Sequence, residues 1–369
     1  MVGSTAGPTG DLPSSLTADP GISLAELELA ARNHGMPHEA LAYDVTPIGL
    51  HYLLVHYDVP TVDPDAWRLT LDGAVARPST LTLEDLRHRP SVTRRVTLEC
   101  AGNGRARLSP RAISQPWLNH AIGTGSWTGV PLADLLEEVV PTPEAVELVF
   151  TGADRGVEGG VAQAYQRSLT LDQARRDGVV LAYALNGEPL PPQHGAPVRL
   201  LVPGWYGMAS VKWLERIEAV TAPFDGYQQT TAYRWRTGPD DPGTPMRELR
   251  VQSMLVPPGV PDFASRRRFV PPGPTTLTGR AWSGHGPVAR VEISADGGTT
   301  WWDAGVDPPP DPHAWQRFTA AWDASLGRHE LCSRATDVTG RQQPLEPEWN
   351  LGGYGGNAVH RLDVEVTGD

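Results

Sequence analysis

From about residue 248 to 366 the sequence alternates apolar and polar side chains in short runs: "ELRVQSML", "TLTGRAWS", "VARVEISA", "TTWWDAG", "AWQRFTAAW", "RHELCSRATD" and "HRLDVEV". A period of two turns one face of a run toward a core and the other toward water, which suits a strand and not a helix. Turn-forming residues break the runs, including the hairpin signal Asp296-Gly297-Gly298. Seven such strands in about 120 residues predict an all-β, immunoglobulin-like sandwich. Just ahead of it, "RTGPDDPGTPM" is rich in proline, glycine and aspartate, and residues 236–247 read as a linker.

Before that stretch the patterning is mixed. "SLAELELAARN" reads as a short helix capped by Ser23 with a glutamate three residues on. "WRLTLDG" and "RRVTLEC" alternate like strands, "TLEDLRH" and "PLADLLEEVV" have helical spacing, and "VELVF" and "VRLLVPG" read as buried strands. No repeat of fixed period and no glycine-rich phosphate loop leading into a helix is present. The expectation is a flexible leader over residues 1–20, an α+β domain over 21–240 and the sandwich over 241–369. At 369 residues the chain is long enough for two domains, each with its own core.

Thirty-one basic against 43 acidic side chains give a formal charge of -12, which argues against nucleic acid or an anionic membrane as partner. A small anionic substrate would need a local basic pocket. No apolar run approaches the roughly 20 residues of a membrane span. The first residues lack the basic-then-apolar profile of a secretory signal and any twin arginine, so the cytoplasm is the expected location. The cysteines are Cys100 and Cys332 alone, without paired zinc or haem-attachment spacing. Cys332, inside an alternating run, reads as a small buried hydrophobe.

Cys100 is different. In "VTLECAGNGR" a strand-like run ends at the thiol, Gly102 and Gly104 leave space where a bulky ligand could approach the backbone, and Arg105 follows. A lone strand cysteine is most often packing. A protease nucleophile would need a histidine base, and nothing local orients one. A soft thiolate acting as the single protein ligand of a high-valent metal fits the pattern better.

"TLECAGNGR" resembles the molybdenum-cysteine motif of the sulfite oxidase family of molybdopterin oxidoreductases. "NGEPLPPQHGAPVRLLVPGWYGMASVKWLERI", residues 186–217, resembles the family's cofactor segment, and "GRAWSGHGPVARVEISADGGTTW" with "EWNLGGYGGNAVHRL" resembles its molybdenum-cofactor dimerisation domain. The resemblance implies a molybdenum-molybdopterin cofactor without haem, with Cys100 as metal ligand. It implies cofactor contacts from His56, Asp154, His194, Arg199, Ser210, Val211 and Lys212, and catalytic roles for Arg105 and Tyr233, with Trp117 in the pocket. It further implies oxygen-atom transfer to or from a small sulfur or nitrogen oxo compound, an oxyanion or sulfur substrate, a separate electron carrier and a homodimer. Sulfoxide or nitrate reduction in the same family, and a cofactor-free binding or assembly module that kept only the fold, stand as alternatives.

Two departures bear on substrate. Leu54 and Val55 stand where the family's Arg-Asn-His triplet has arginine and asparagine, and Gly352 stands where the second domain gives another arginine. Of those arginine positions Arg105 alone is kept, and Arg32, Arg107 and Arg111 are the candidates to rebuild an anion site. Weak sulfite oxidation is the expectation.

Overall fold

The computed structural model describes residues 15–368. The capping box read at Ser23 is present: its hydroxyl accepts from Glu26 N, and Glu26 reaches back to Ser23 N, at the start of helix Leu24–Ala31. Leu16–Thr17 pairs with Arg111–Ala112, and Leu16 is buried. Arg111 donates to the carbonyls of Asp19 and Gly21 and is paired with the fully buried Glu26. Residues 15–20 are therefore docked against the body, a correction to the loose leader expected there; residues 1–14 lie outside the described part.

Residues 69–220 build two five-stranded sheets. In one, Ser79–Leu81, Leu69–Gly73, Leu214–Val220, Glu147–Glu158 and Val161–Thr170 lie side by side, with a parallel pairing only between Leu69–Gly73 and Leu214–Val220. In the other, Val92–Glu99, Ile122–Pro131, Val180–Leu185 and Glu188–Pro189 follow in order, and Arg199–Leu201 also pairs with Val180–Leu185. Helices are few and short, Leu132–Val139 being one of eight residues. Its Leu132, Leu135, Leu136 and Val139 are buried at helical spacing, so it covers sheet rather than standing alone. The helix share of the expected α+β unit is thus small, because the apolar runs here are mostly strand-length.

The alternating runs beyond 248 all contain strands, arranged in a four-stranded and a six-stranded sheet around a second core that includes Val291, Phe318, Leu331 and Val364. "TTWWDAG" splits: Trp302–Asp303 pairs in the larger sheet and Gly305–Val306 in the smaller. The proline-rich stretch is folded. Thr244–Pro245 pairs with Arg234–Trp235, and Met246 N donates to Tyr233 O. Cys332 is fully buried in strand Gly327–Asp337.

The two parts meet behind Cys100. Glu99, fully buried, accepts from Asn103 Nδ2, Gln252 Nε2 and Trp282 Nε1, so donors of both parts converge on one carboxylate. Trp282 packs into the core of the first part. It is therefore not available as apolar surface for a second copy of the chain. Trp301 is half-buried under Arg334, and Trp302 packs on the second core.

Candidate functional site

Strand Val92–Glu99 ends at Cys100, whose N–H bonds Ala121 O, and the chain then turns back through glycines. A side-chain carbon on Gly102 would lie 2.7 Å from Arg105 Nη2, and Gly104 has φ +84°. Glycine is required at both, by close approach and by backbone conformation. Cys100 lines two cavities, an inner and an outer one, which also share Leu54, His56 and Tyr233. Burial pushes the Cys100 thiol up, opposed by the Gly102 backbone, the Arg105 charge and the Trp117 indole.

The inner cavity is lined by His194, Arg199, Ser210, Lys212 and Asp154, five of the residues singled out from sequence, and by His51, Tyr52 and Tyr165, which were not. Arg199 donates to the carbonyls of His194 and Ser210, at 3.1 and 3.0 Å, and lies over the Trp127 ring. Lys212 Nζ donates to Leu54 O and Gln193 O, at 2.7 and 3.1 Å. Gly195, at φ +107°, leaves room for the Lys212 stem. Ser210 Oγ accepts from Val202 N, which leaves its own proton free to donate.

The irregular register between Thr151 and Arg155 turns Asp154 into this cavity. Burial pushes Asp154 up to about 6 against the pull of Lys212 and His56. Burial, with Arg199 nearby, pushes Lys212 down to about 7, and burial alone lowers Arg199 to about 10. His194 is held down to about 2 by burial and by His51 and Arg199. Val211 does not come to the cavity. Its side chain is fully buried in the core, its N–H bonds Ala209 O and its carbonyl accepts from Leu200 N.

The outer cavity gathers distant segments. Arg105 donates from Nε to Gly352 O and from Nη1 to Gln115 O, and lies 5.1 Å from the Tyr354 ring centroid. Gly352, at the position of the lost arginine, thus supplies a carbonyl that holds Arg105. Tyr233, at φ 52°, places its hydroxyl 3.4 Å from His56 Nδ1, and His56 Nε2 is 2.8 Å from Glu158 Oε2. Tyr57 and Gln228 also bond Glu158. Burial and the neighbouring Tyr165 and Tyr354 push the Tyr233 hydroxyl well above its ordinary value. Trp117 lines this cavity.

The candidate arginines separate here. Arg111 is spent on Glu26, and Arg107 faces a different cavity. Arg32 lines the outer cavity with Asn33. Asn33 Oδ1 accepts from Val55 N, and His34 forms an antiparallel bridge with Leu53. The "RNH" segment, displaced in sequence, therefore runs beside Leu54 and Val55 in space. Sequence reasoning missed Glu158, Gln228 and Tyr354; Tyr354 lay inside "EWNLGGYGGNAVHRL", whereas nothing around Glu158 marked it.

A molybdopterin would bring a phosphate and further negative charge to the inner cavity. The donor set suits it: Arg199 and Lys212 are spent only on carbonyls, and a buried cation without an anion is costly.

Residues 56–228 match the oxidoreductase molybdopterin binding domain, and residues 244–367 match the Mo-co oxidoreductase dimerisation domain. The chain is 35% identical over 347 residues to mitochondrial sulfite oxidase of Homo sapiens, covering 88% of this chain and 62% of that one. It is 33% identical over 356 residues to inducible nitrate reductase [NADH] 2 of Glycine max, covering 87% and 39%. It therefore spans about three fifths of the length of the sulfite oxidases it matches. Among solved structures, the sulfane dehydrogenase SoxCD of Paracoccus pantotrophus superposes with a TM-score of 0.76 at 29% identity, over 90% of this chain and 86% of that one.

Proposed function

Because the chain belongs to the sulfite oxidase family of molybdopterin-dependent oxidoreductases, we propose that it transfers an oxygen atom to or from a small sulfur or nitrogen oxo compound, using a molybdenum-pterin group in the inner cavity. The observation that carries this reading is the position of Cys100, a lone thiol shared between a cation-lined inner cavity and a substrate-sized outer one. Cys100 would hold the metal. Arg199, Lys212 and the free proton of Ser210 would hold the phosphate, and Asp154 would accept from ring N–H groups of the pterin. When bound, the molybdenum centre supplies two-electron oxygen-atom transfer.

The protein's own groups set what enters and how it is oriented. Arg105, fixed by Gly352 O and Gln115 O, offers a preorganised cation toward the substrate. Tyr233 keeps its proton through neutral pH and is a donor to a substrate oxygen, with His56 fixed between it and Glu158. Leu54, Val55 and the Glu158 carboxylate lower the cationic character of the outer cavity, and Arg32 stands at its exposed edge. These residues favour a substrate of low charge over the sulfite dianion.

We read the two-sheet unit as immunoglobulin-like and as the contact between two copies of the chain, with domains near 21–240 and 241–369. A separate electron carrier completes this reading; among the described residues no helix is long and apolar enough to cross a membrane. Steady-state assays of the purified protein with sulfite, a neutral sulfoxide and nitrate test the substrate reading. Sulfite kcat/KM is expected well below the roughly 10⁶ M⁻¹s⁻¹ of a good enzyme. A value at or above that level would show that Arg105 and Arg32 suffice and that the low-charge reading is wrong.

A further inference from the structure

A third cavity adjoins the outer one and shares Asn33, Gln115 and Trp117 with it. On a chain of net charge -12 its wall is cationic: Arg107, Arg266, Arg267, Arg268 and Arg361 against Glu39 and Asp363. Arg266 and Arg268 pair with Glu39, Arg267 with Asp363, and Arg361 with Glu330 and Glu346. Arg107 differs. Among the described residues no carboxylate pairs with it, and its charged neighbours are Arg361 and the histidines of the same wall.

Those histidines form a cluster. His38 stacks on His120 at 3.8 Å between centroids and meets His360 edge-on at 4.5 Å. His38 commits Nε2 to Asn119 O, whereas the buried Nδ1 of His360 has no partner. The rings meet by faces and edges, so their nitrogens do not converge, and among the described residues no group of His, Cys, Asp or Glu is arranged to hold a metal ion. Burial and Arg107 hold all three rings below the ordinary histidine value, and the neighbouring histidines lower His38 and His360 further. The cavity thus collects the exposed, unpaired guanidinium of Arg107 and, on His120 and His360, ring nitrogens not committed to the protein, which can complement an anion where they carry a proton.

We propose that this cavity is a second oxyanion site, taking a small tetrahedral anion of the sulfate or phosphate class on Arg107, His120 and His360, against which His38 packs, one wall removed from the outer cavity. The bound anion supplies the counter-charge that Arg107 lacks and accepts from ring N–H groups. The site needs neither molybdenum nor turnover.

The test is nuclear magnetic resonance of the histidine ring nitrogens in the full chain, titrated with sodium sulfate and inorganic phosphate against sodium chloride of equal ionic strength. Resonances that vanish in His360→Gln, or in His120→Gln should that variant fail to fold, are expected to shift and saturate with either oxyanion and not with chloride. Arg107→Gln should weaken that binding about tenfold or more. Arg105→Gln, in the outer cavity, should leave it unchanged. Shifts that follow ionic strength alone, or an affinity untouched by Arg107→Gln, would overturn the proposal. The readout is binding to histidines, so a null result leaves the oxygen-transfer reading intact, and a protein without molybdenum leaves this site intact.

Discussion

The two cavities that Cys100 lines are built by different means. On the inner side Arg199 and Lys212 are fixed by carbonyls, and Asp154 is the carboxylate lining the cavity. On the outer side Arg105 and Arg32 share the wall with Glu158, and the residues come from segments as far apart as 29 and 354. A buried excess of cations is tolerable when an anion neutralises it, so the inner side suits the permanently charged group proposed for it. A wall of mixed charge discriminates by small differences, so on the proposed reading the outer side would govern substrate choice.

The largest expected effect falls on the residue that belongs to both sides. Losing a group that merely supports a metal ligand costs about 10- to 100-fold, so Cys100→Ser is expected to cost more than about 100-fold in kcat. Circular dichroism and thermal melting should show the fold retained, since the change removes little packing. Next is Lys212→Met, which keeps the stem over Trp213 and removes the charge. A charge-assisted hydrogen bond of about 1.5 to 3 kcal/mol corresponds to about 10- to 150-fold weaker cofactor retention, measurable as pterin lost on dilution. If retention were unchanged, the inner cavity would not be the charged side.

On the outer side, Leu54→Arg should raise sulfite kcat/KM about tenfold at low salt, and less at moderate salt where the charge is screened. Gly352→Arg is the weaker design. A side-chain carbon there would meet the Tyr354 ring at 2.4 Å, and Tyr354 is the ring that Arg105 lies against. No gain from Leu54→Arg would mean that the outer wall is not limited by charge.

The smallest effect is a pH dependence. In cofactor-free protein Lys212 has a folded value of about 7 against an ordinary 10.5, so between those values the unfolded chain binds more protons than the folded one. Stability of that form should therefore rise with pH across this window. Protein carrying the phosphate should show less of the rise, because the anion restores the lysine's charge. Denaturant titrations at pH 7 and 9.5 with and without cofactor read the difference.

How much of this was legible in the sequence follows the same division. Most of the inner residues sit in one continuous segment, 186–217, with Cys100 just past a strand end and Asp154 at the register irregularity within strand Glu147–Glu158, and it was the family resemblance of these motifs that named them. Val211 was named with its neighbours, yet in the bend that follows the turn Gly207–Ala209 its side chain goes to the core while those of Ser210 and Lys212 face the cavity. The strands beyond 248 were legible because one buried face imposes a period of two. The outer cavity was not, since it is assembled by tertiary contacts: Asn33 against Val55, Gly352 against Arg105, Glu158 against His56. Nor could spacing tell that the proline-rich stretch packs back on Tyr233, or that Trp282 is buried on Glu99.

The central claim, that Cys100 holds molybdenum between the two cavities, is tested most directly by molybdenum X-ray absorption of the purified protein and of Cys100→Ser. The account predicts about one molybdenum per chain in the native protein and one sulfur neighbour fewer around the metal in the variant. Native protein that turns over substrate without molybdenum, or a sulfur shell unchanged by Cys100→Ser, would contradict it.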